Sequence, residues 1–314
     1  MTRTAAAISA LLLGGCLHHH EGPLPGEPAD ATFAKVEGAR VRFVDEGEGP
    51  AVVLIHGFAS SLENWNGVRE ELQKDHRVLA LDLKGFGWTD RPEGDYSPAA
   101  QAALVFALMD ERGIDQAAVV GHSWGSSVVL AMALAHPERV QRIALYDAWV
   151  FEEQLPPMFV WARGKGMGEL LFRLFYQERS DDKIELGYHD VSLIDQDYVE
   201  RVEEMQHRPG TTAAALAAVR GQRYAEVQKR YHEIDQPVLL LWGREDRITL
   251  VEDGERLAGT LPHAELRIYP NCGHFPMREA KDASTDALVE FLAVENLRVA
   301  PKVAPEPENG EAQP

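Results

Sequence analysis

One seven-residue stretch, Val119–Gly125 (Val-Val-Gly-His-Ser-Trp-Gly), restricts the fold of this chain more than any other. It joins an apolar strand pattern to a long apolar helix pattern, which predicts a sharp turn with Ser123 at its apex. Gly121 and Gly125 are expected where strand and helix come too close for side chains. Such a turn strains the serine backbone and raises its hydroxyl above the sheet edge. Trp124, as the first helical residue, can then point its backbone N–H toward a negatively charged oxygen.

Short apolar runs alternate with helical patterns on both sides of this turn. Continuous apolar runs are typical of strands buried on both faces. Their alternation with helices predicts an α/β fold, with a mostly parallel central sheet and helices on both faces. The predicted elements are a hairpin over 36–45, strands over 51–55, 77–81, 117–120, 143–146, 237–242 and 265–269, and helices over 97–112, 124–135 and 281–294.

The alternation stops between residues 149 and 234, where aromatic residues and helical patterns occur without a buried-strand run. This predicts an α-helical insertion over 149–234, which divides the core into 33–148 and 235–296. The aromatic side chains could line a pocket for an apolar group or form the insertion's own core, and their spacing allows both. These aromatic residues are Trp149, Phe151, Trp161, Phe172, Phe175 and Tyr176.

The first sixteen residues have the pattern of an export signal. Arg3 is followed by an apolar stretch over 5–13, too short to cross a bilayer, and then by Leu-Gly-Gly-Cys, ending at Cys16. This ending resembles the lipobox of bacterial lipoproteins, which implies removal of signal peptide 1–15 and acylation of Cys16. A plain secretory signal is the alternative. The resemblance implies a protein exported to the bacterial cell envelope and anchored by lipid to the inner or outer membrane.

The two ends of the chain are predicted to lack regular structure. Residues 16–32 are rich in His, Pro and Gly and predict a flexible tether, and 297–314 predict a disordered tail. Three adjacent histidines, 18–20, could bind a metal weakly, but no second cluster supplies further ligands, so no metal site is expected. The net charge of −19, without a basic run, argues against a nucleic-acid partner.

Two motifs that follow the last apolar strands carry candidate partners for Ser123. Trp-Gly-Arg-Glu-Asp ends at Asp246, and Asn-Cys-Gly-His-Phe places His274 just past the final strand. A serine hydroxyl is a weak nucleophile until an imidazole takes its proton, and a carboxylate can fix the imidazole tautomer. Asp147 also ends a strand and is a rival for the role of acid. Cys272 could be a reactive thiol, but a small buried residue is favoured.

In motif content and order, residues 33–294 resemble the α/β-hydrolase superfamily, whose triad runs serine, acid, histidine. The resemblance implies Ser123 as nucleophile, Asp246 as acid and His274 as base. It also implies an oxyanion hole formed by the backbone N–H groups of Phe58, in His-Gly-Phe after the 51–55 strand, and of Trp124. The Asp82–Pro92 segment resembles the family's D-x-x-G-x-G loop. His56 is expected to structure its loop, and His122 to pack beneath the turn.

The resemblance implies a serine hydrolase that cleaves a small ester or related acyl-type bond through an acyl-serine, with the insertion as a lid. Serine at position 123 argues against haloalkane dehalogenases and epoxide hydrolases, which carry aspartate there. The sequence His-Gly-Phe-Ala-Ser after residue 55 departs from the H-G-G-P-G of proline iminopeptidases. Carbon–carbon bond hydrolases and cofactor-free haloperoxidases share the motifs, and a non-catalytic ligand-binding protein is a further alternative. No cofactor is expected, since no Walker or dinucleotide loop is present. The expected partners are a membrane and a small substrate with an apolar acyl group or ring.

Overall fold

The computed structural model describes residues 17–178 and 180–293. The predicted signal peptide, Cys16 and the 297–314 tail lie outside these residues. The fold is built on eight strands: β1 (Thr32–Val36), β2 (Ala39–Glu46), β3 (Ala51–Ile55), β4 (Arg77–Leu81), β5 (Ala117–His122), β6 (Val140–Tyr146), β7 (Val238–Gly243) and β8 (Ala264–Tyr269).

The strands form one sheet in the order β1-β2-β4-β3-β5-β6-β7-β8. β2 is antiparallel to both of its neighbours, and every other pair is parallel. The predicted mostly parallel sheet is therefore confirmed. The predicted hairpin is β1–β2, whose turn residues Glu37 and Gly38 both have positive φ.

Eleven α-helices are present in the described residues: α1 (Asn66–Leu72), α2 (Pro98–Glu111), α3 (Trp124–Ala135), α4 (Pro157–Ala162), α5 (Met167–Phe175), α6 (Ser180–Gly187), α7 (Gln196–His207), α8 (Thr211–Gly221), α9 (Val251–Thr260), α10 (Pro276–Glu279) and α11 (Lys281–Ala293). The predicted start of α2 is confirmed, because Ser97 Oγ accepts a hydrogen bond from Ala100 N (3.2 Å). None of these helices is both long and apolar enough to cross a membrane.

The core lies on both faces of the sheet, because successive side chains of a strand point to opposite sides. In β3, Val53 and Ile55 join an apolar cluster that also contains residues of α2 and α3. Val52 and Leu54 join a second cluster with residues of α1 and α11. The continuous apolar runs of the central strands are thus explained by burial on both sides.

Helices α4 to α8 fill the segment between β6 and β7, and no strand occurs among its described residues. Ala162, Phe172 and Leu216, from α4, α5 and α8, form a small apolar cluster of their own. Both alternatives for the six aromatic residues apply in part. Phe172 and Tyr176 join this cluster and also border the cavity described below, where Trp149 and Phe175 lie as well. Phe151 packs into the main core, and Trp161 is exposed.

Residues 17–31 lie against the core, whereas the sequence predicts a flexible tether there. His20 and Arg91 exchange two backbone hydrogen bonds of 2.9 and 2.7 Å, and Leu24 is buried. Glu27 accepts two hydrogen bonds from the guanidinium of Arg40. The Pro- and Gly-rich composition hides these contacts, because they join the segment to residues 13 to 71 positions away.

Candidate active site

Ser123 lies at the apex of the turn between β5 and α3, with φ 51° and ψ −123°. Positive φ is strained for a serine and is often found at functional sites. A Cβ on Gly125 would lie 2.4 Å from the carbonyl oxygen of His56, and one on Gly121 would lie 2.9 Å from the backbone of Gly125. Close packing of strand and helix therefore requires both glycines, as predicted.

His274 follows β8 and is held by a buried carboxylate. Its Nδ1 lies 2.7 Å from Asp246 Oδ2, and both side chains are almost fully buried. The carboxylate accepts the Nδ1 proton, which leaves Nε2 as the basic nitrogen. Ser123 and His274 border the same cavity. The structure thus places the three predicted triad residues at the ends of β5, β7 and β8.

Four hydrogen bonds fix the Asp246 carboxylate. Its Oδ1 accepts from the backbone N of Ile248 (2.7 Å) and Thr249 (3.1 Å), and its Oδ2 accepts from Thr249 Oγ1 (2.6 Å) and His274 Nδ1. Burial alone would raise the pKa of Asp246, but the charge of His274 and these hydrogen bonds outweigh it and lower the pKa. Asp246 therefore stays ionised beneath the histidine.

The rival acid, Asp147, is buried nearby but has a different role. Its Oδ1 accepts from Gly243 N (2.9 Å) at the end of β7. Burial, and then the negative charge of Asp246, raise the pKa of Asp147 well above its ordinary value. A neutral carboxyl group cannot stabilise an imidazolium as a carboxylate does. Asp147 therefore braces the strand end that leads into the Asp246 turn.

His122 supports the base as well as packing beneath the turn. Its Nε2 donates to the carbonyl oxygen of His274 (2.8 Å), and its Nδ1 accepts from Asn64 Nδ2 (3.3 Å). Burial, and then the charge of His274, lower the pKa of His122 well below its ordinary value. His122 is therefore a neutral ring that helps to fix the loop of His274. The sequence indicated only its packing.

The loop that follows β3 borders the same cavity through Gly57 and Phe58. His56 orders this loop, as predicted, because its Nδ1 donates to Gly57 O (2.7 Å) and its Nε2 accepts from Leu83 N (3.0 Å). Trp124 also borders the cavity and begins α3, so its N–H belongs to the first helical turn, where no intrahelical acceptor exists. The two residues predicted to supply the oxyanion donors therefore border the same cavity as Ser123.

The cavity above Ser123 has a volume of about 380 Å³. Its outer wall comes from the insertion between β6 and β7, largely from α4, α5, α6 and α7. The apolar side chains of this wall are Trp149, Met158, Phe159, Phe172, Phe175, Tyr176, Ile184, Leu186, Tyr198 and Val202. Small-molecule sites are commonly of this size and mostly apolar, with a few polar groups.

Four residues of the cavity wall carry buried polar atoms without a hydrogen-bond partner among the described residues. These atoms are both amide atoms of Gln222, the hydroxyl of Tyr176, and Nε1 of Trp124 and Trp149. Buried polar atoms in native proteins are nearly always paired. The hydrogen-bonding capacity of these groups is therefore unused among the described residues.

Comparisons with known proteins agree with this geometry. Residues 50–280 match the protein family described as alpha/beta hydrolase fold. The chain belongs to this family. The 2-hydroxymuconate semialdehyde hydrolase of Pseudomonas sp. (strain CF600) is 28% identical over 270 residues, covering 82% of this chain and 91% of that protein. The 2-hydroxy-6-oxo-6-phenylhexa-2,4-dienoate hydrolase of Burkholderia cepacia is 29% identical, covering 81% and 91%.

A solved structure shows the same fold in this α/β-hydrolase family. The meta-cleavage product hydrolase of Pseudomonas fluorescens IP01 superposes with a TM-score of 0.71 at 28% identity. The match covers 83% of this chain and 97% of that one. The family and its hydrolase relatives are therefore established by sequence and by structure.

One group of ligand-type side chains in this α/β hydrolase could be mistaken for a metal site. Atoms of His122, Asp147 and His274 lie within 4.8 Å of one another. Both ring nitrogens of His122 are already hydrogen-bonded, and Nδ1 of His274 donates to Asp246. Metal binding would require these bonds to break and the neutral Asp147 to ionise. The group is better explained as the proton and hydrogen-bond network of the triad.

Cys272 is the free cysteine of the described residues and is completely buried. Burial strongly raises the pKa of its thiol. The reactive form is the thiolate, so this cysteine is unreactive in the folded protein. The preference for a buried packing residue is confirmed.

Sequence reasoning missed Asn64, Thr249 and Gln222. Gln222 lies far along the chain from any recognised motif, and Asn64, six residues after Phe58, reaches His122 only through the fold. Thr249 had a local signal, because a threonine three residues after an aspartate commonly closes a turn through the aspartate side chain.

Proposed function

We propose that this α/β hydrolase is a serine esterase that forms an acyl-serine intermediate. His274 Nε2 takes the proton of Ser123 as its oxygen attacks the ester carbonyl, and Asp246 stabilises the resulting imidazolium. The N–H groups of Phe58 and Trp124 stabilise the tetrahedral oxyanion. His274 then protonates the departing alcohol. Water, activated by the same histidine, releases the acid and restores Ser123.

The observation that carries this proposal is the hydrogen bond from His274 to the ionised Asp246, at the same cavity as a strained serine. The pair fixes the imidazole tautomer that makes Nε2 basic, because the Nδ1 proton is committed to Asp246 at 2.7 Å. A ligand-binding protein would need neither the tautomer nor the strain at Ser123. Both features are what nucleophilic catalysis by serine requires.

The wall of the cavity supports an uncharged substrate with an apolar acyl group or ring. In this proposal helices α4 to α8 act as a lid, which excludes water from Ser123 and strengthens electrostatic stabilisation. The unpaired amide of Gln222 supplies a donor and an acceptor for one polar group of the substrate. Polar contacts of this kind fix orientation within an apolar pocket.

Hydrolysis of a carbon–carbon bond is the second candidate, favoured by the names of the relatives at 28–29% identity. The dienoate named for the Burkholderia cepacia protein is an anion. In this chain, Lys183 is the one lysine or arginine among the described residues that line the cavity. Its Nζ is held by the backbone carbonyls of Phe175 and Tyr176 (3.0 Å each). This wall therefore suits a neutral ester better than an anion.

The two candidates are separated by measuring kcat/KM for neutral aryl and alkyl esters of increasing acyl length and for a vinylogous diketone acid. We expect the esters to be turned over faster, with a preference for apolar acyl groups. Ser123→Ala is the control for turnover by contaminants. Gln222→Leu should raise KM more than it lowers kcat if the amide binds substrate. Faster cleavage of the diketone acid would replace the esterase proposal with the carbon–carbon one.

We also propose that the protein is exported and carries lipid on Cys16 at the bacterial cell envelope. The support is the Leu-Gly-Gly-Cys pattern after a short apolar stretch. Metabolic labelling with an alkyne fatty acid tests this directly. Label that is absent from the wild-type chain, or that persists in Cys16→Ser, would contradict lipidation at this residue.

A further inference from the structure

Exposed apolar side chains are concentrated on one part of this molecule. Of the ten large apolar side chains that are exposed in the described residues, nine lie between 160 and 193, in the insertion. The tenth is Leu250, just before α9. Six of the nine belong to α4 and α5, and together we call them the α4–α5 face: Val160, Trp161, Met167, Leu170, Leu174 and Phe175.

Helix α5 is apolar on its outer side as well as on its inner side. Gly168 and Phe172 are buried inward. Met167, Leu170 and Leu174, at helical spacing, are each about half exposed outward (51–53%). A surface helix normally carries polar residues on its outer side. A contiguous exposed apolar surface of this kind marks a binding surface.

The chain enters the described structure directly beneath this face. Leu17 packs against the cluster of Ala162, Phe172 and Leu216, which supports α4 and α5 from inside. Residue Cys16, the proposed lipid attachment site, is one peptide unit, about 3.8 Å, before Leu17. Residues 17–31 are bonded to the core, so the described segment that follows the proposed lipid site is fixed against the helices that carry this face.

The local charge also differs from that of the whole chain, which carries −19. Between residues 157 and 176 the basic residues are Arg163, Lys165 and Arg173, and the sole acidic residue is Glu169. The carboxylate of Glu169 is paired with Arg220 (2.9 Å), and the guanidinium of Arg163 is paired with Glu152 (2.6 Å). Lys165 and Arg173 are the exposed basic residues of this stretch. A face with apolar residues and exposed cations is typical of surfaces that bind an anionic bilayer.

The mouth of the catalytic cavity opens on this side. Phe175 and Leu186 line the cavity and are also half exposed, at 50% and 48%. We propose that the α4–α5 face docks on a phospholipid bilayer, so that the cavity mouth faces the membrane and admits apolar substrate from it. This surface role goes beyond the proposed function, because docking does not require Ser123 or hydrolysis.

The test uses the full chain bound to vesicles of phosphatidylethanolamine and phosphatidylglycerol. The emission of Trp161 is obtained as the difference between the chain and its Trp161→Phe variant. Brominated acyl chains in the bilayer should reduce this emission about twofold or more, because interfacial apolar faces sit roughly 5–10 Å into the headgroup and acyl boundary. Aqueous iodide should quench it less on vesicles than in solution.

The double variant Leu170→Glu with Leu174→Glu places two charges on the docking side of α5. It should abolish both the quenching of Trp161 by brominated lipid and the protection of Trp161 from iodide. Leu250→Glu makes the same chemical change outside the face and should leave both results unchanged. A thermal melt checks that the variants fold, and Met167→Glu replaces the double variant if it does not. The assays of ester turnover remain independent, so failure of docking and failure of the esterase proposal are distinguishable.

Three results would overturn docking on a bilayer. The first is a full chain that does not float with the vesicles, and the second is a Trp161 that stays open to iodide on them. The third is a Trp161 shielded from iodide and from brominated lipid alike, which would show that a second protein copy covers the face.

Discussion

Replacing Asp246 by Asn should nearly abolish turnover, and the structure indicates why. Two backbone N–H groups, of Ile248 and Thr249, donate to Oδ1 at 2.7 and 3.1 Å, so an asparagine must place its oxygen there. Its NH₂ group then takes the Oδ2 position and faces Nδ1 of His274. The amide donates where the carboxylate accepted, which forces the ring proton onto Nε2. In that tautomer, His274 cannot take the proton of Ser123.

The expected loss is about 10⁴-fold in kcat, the size seen for the corresponding change in serine proteases, or about 5.5 kcal/mol of barrier. Asp147→Asn should instead keep kcat within about tenfold, or 1.4 kcal/mol. The asparagine oxygen can still accept from Gly243 N, and because burial and the charge of Asp246 raise the pKa of Asp147, a neutral amide resembles the form of the carboxyl that this site favours.

Steady-state kinetics on an activated aryl ester compare the two variants, with folding checked by thermal melts. The two residues are both buried carboxyls at strand ends, so each serves as the matched control for the other. An inactive Asp147→Asn together with an active Asp246→Asn would refute the assignment and make Asp147 the acid of the triad.

Two further predictions concern stability. The pKa of Asp147 is raised in the folded state, so its contribution to stability is fully present below pH about 4 and is lost as the pH rises. Relative to wild type, Asp147→Asn should therefore gain up to about 1.4 kcal/mol in the free energy of unfolding per pH unit above that range. Urea titrations from pH 4.5 to 8 measure this, and a difference that shrinks with pH would contradict it. Gly125→Ala should destabilise the protein by about 2 kcal/mol or more, since its Cβ would lie 2.4 Å from His56 O. Gly259→Ala in α9, where no atom lies within 4 Å, should stay within about 0.5 kcal/mol of wild type in the same urea assay.

The sequence predicts the sheet well because its information is local. Strands such as β3 and β7 are continuous apolar runs, and the turn at Ser123 needs glycines whose positions are fixed by close packing. The triad is predicted from short motifs as well, because Ser123, Asp246 and His274 each lie in one and follow the order serine, acid, histidine along the chain. The structure adds the hydrogen bond that separates Asp246 from Asp147.

What the sequence could not predict depends on contacts between distant residues. Asn64 reaches His122 from 58 positions away. Gln222 borders the cavity only because α8 ends there. The packing of residues 17–31 also escapes pattern reasoning, since Leu24 is a single buried apolar residue in a Pro- and Gly-rich segment. A hydropathy pattern cannot reveal such isolated contacts.

The exposed apolar side of α5 shows a different limit. Its apolar residues cover a wide arc that is interrupted by Glu169 and Arg173, and pattern analysis interprets such an arc as a face buried against protein. The structure leaves Met167, Leu170 and Leu174 half exposed. Whether the second side is covered by protein or by lipid is decided by the surroundings of the molecule and not by the helix.

Trapping the acyl-enzyme identifies the residue that attacks the ester. The protein is mixed with a p-nitrophenyl ester, quenched in acid during the first turnover, digested and analysed by mass spectrometry. We expect the acyl group on the peptide that contains Ser123, and no adduct in Ser123→Ala. In His274→Ala, the acyl-enzyme should accumulate more than in wild type only if a more reactive ester is used. An acyl group on any other residue, or ester turnover that persists in Ser123→Ala, would contradict the assignment of Ser123 as the nucleophile.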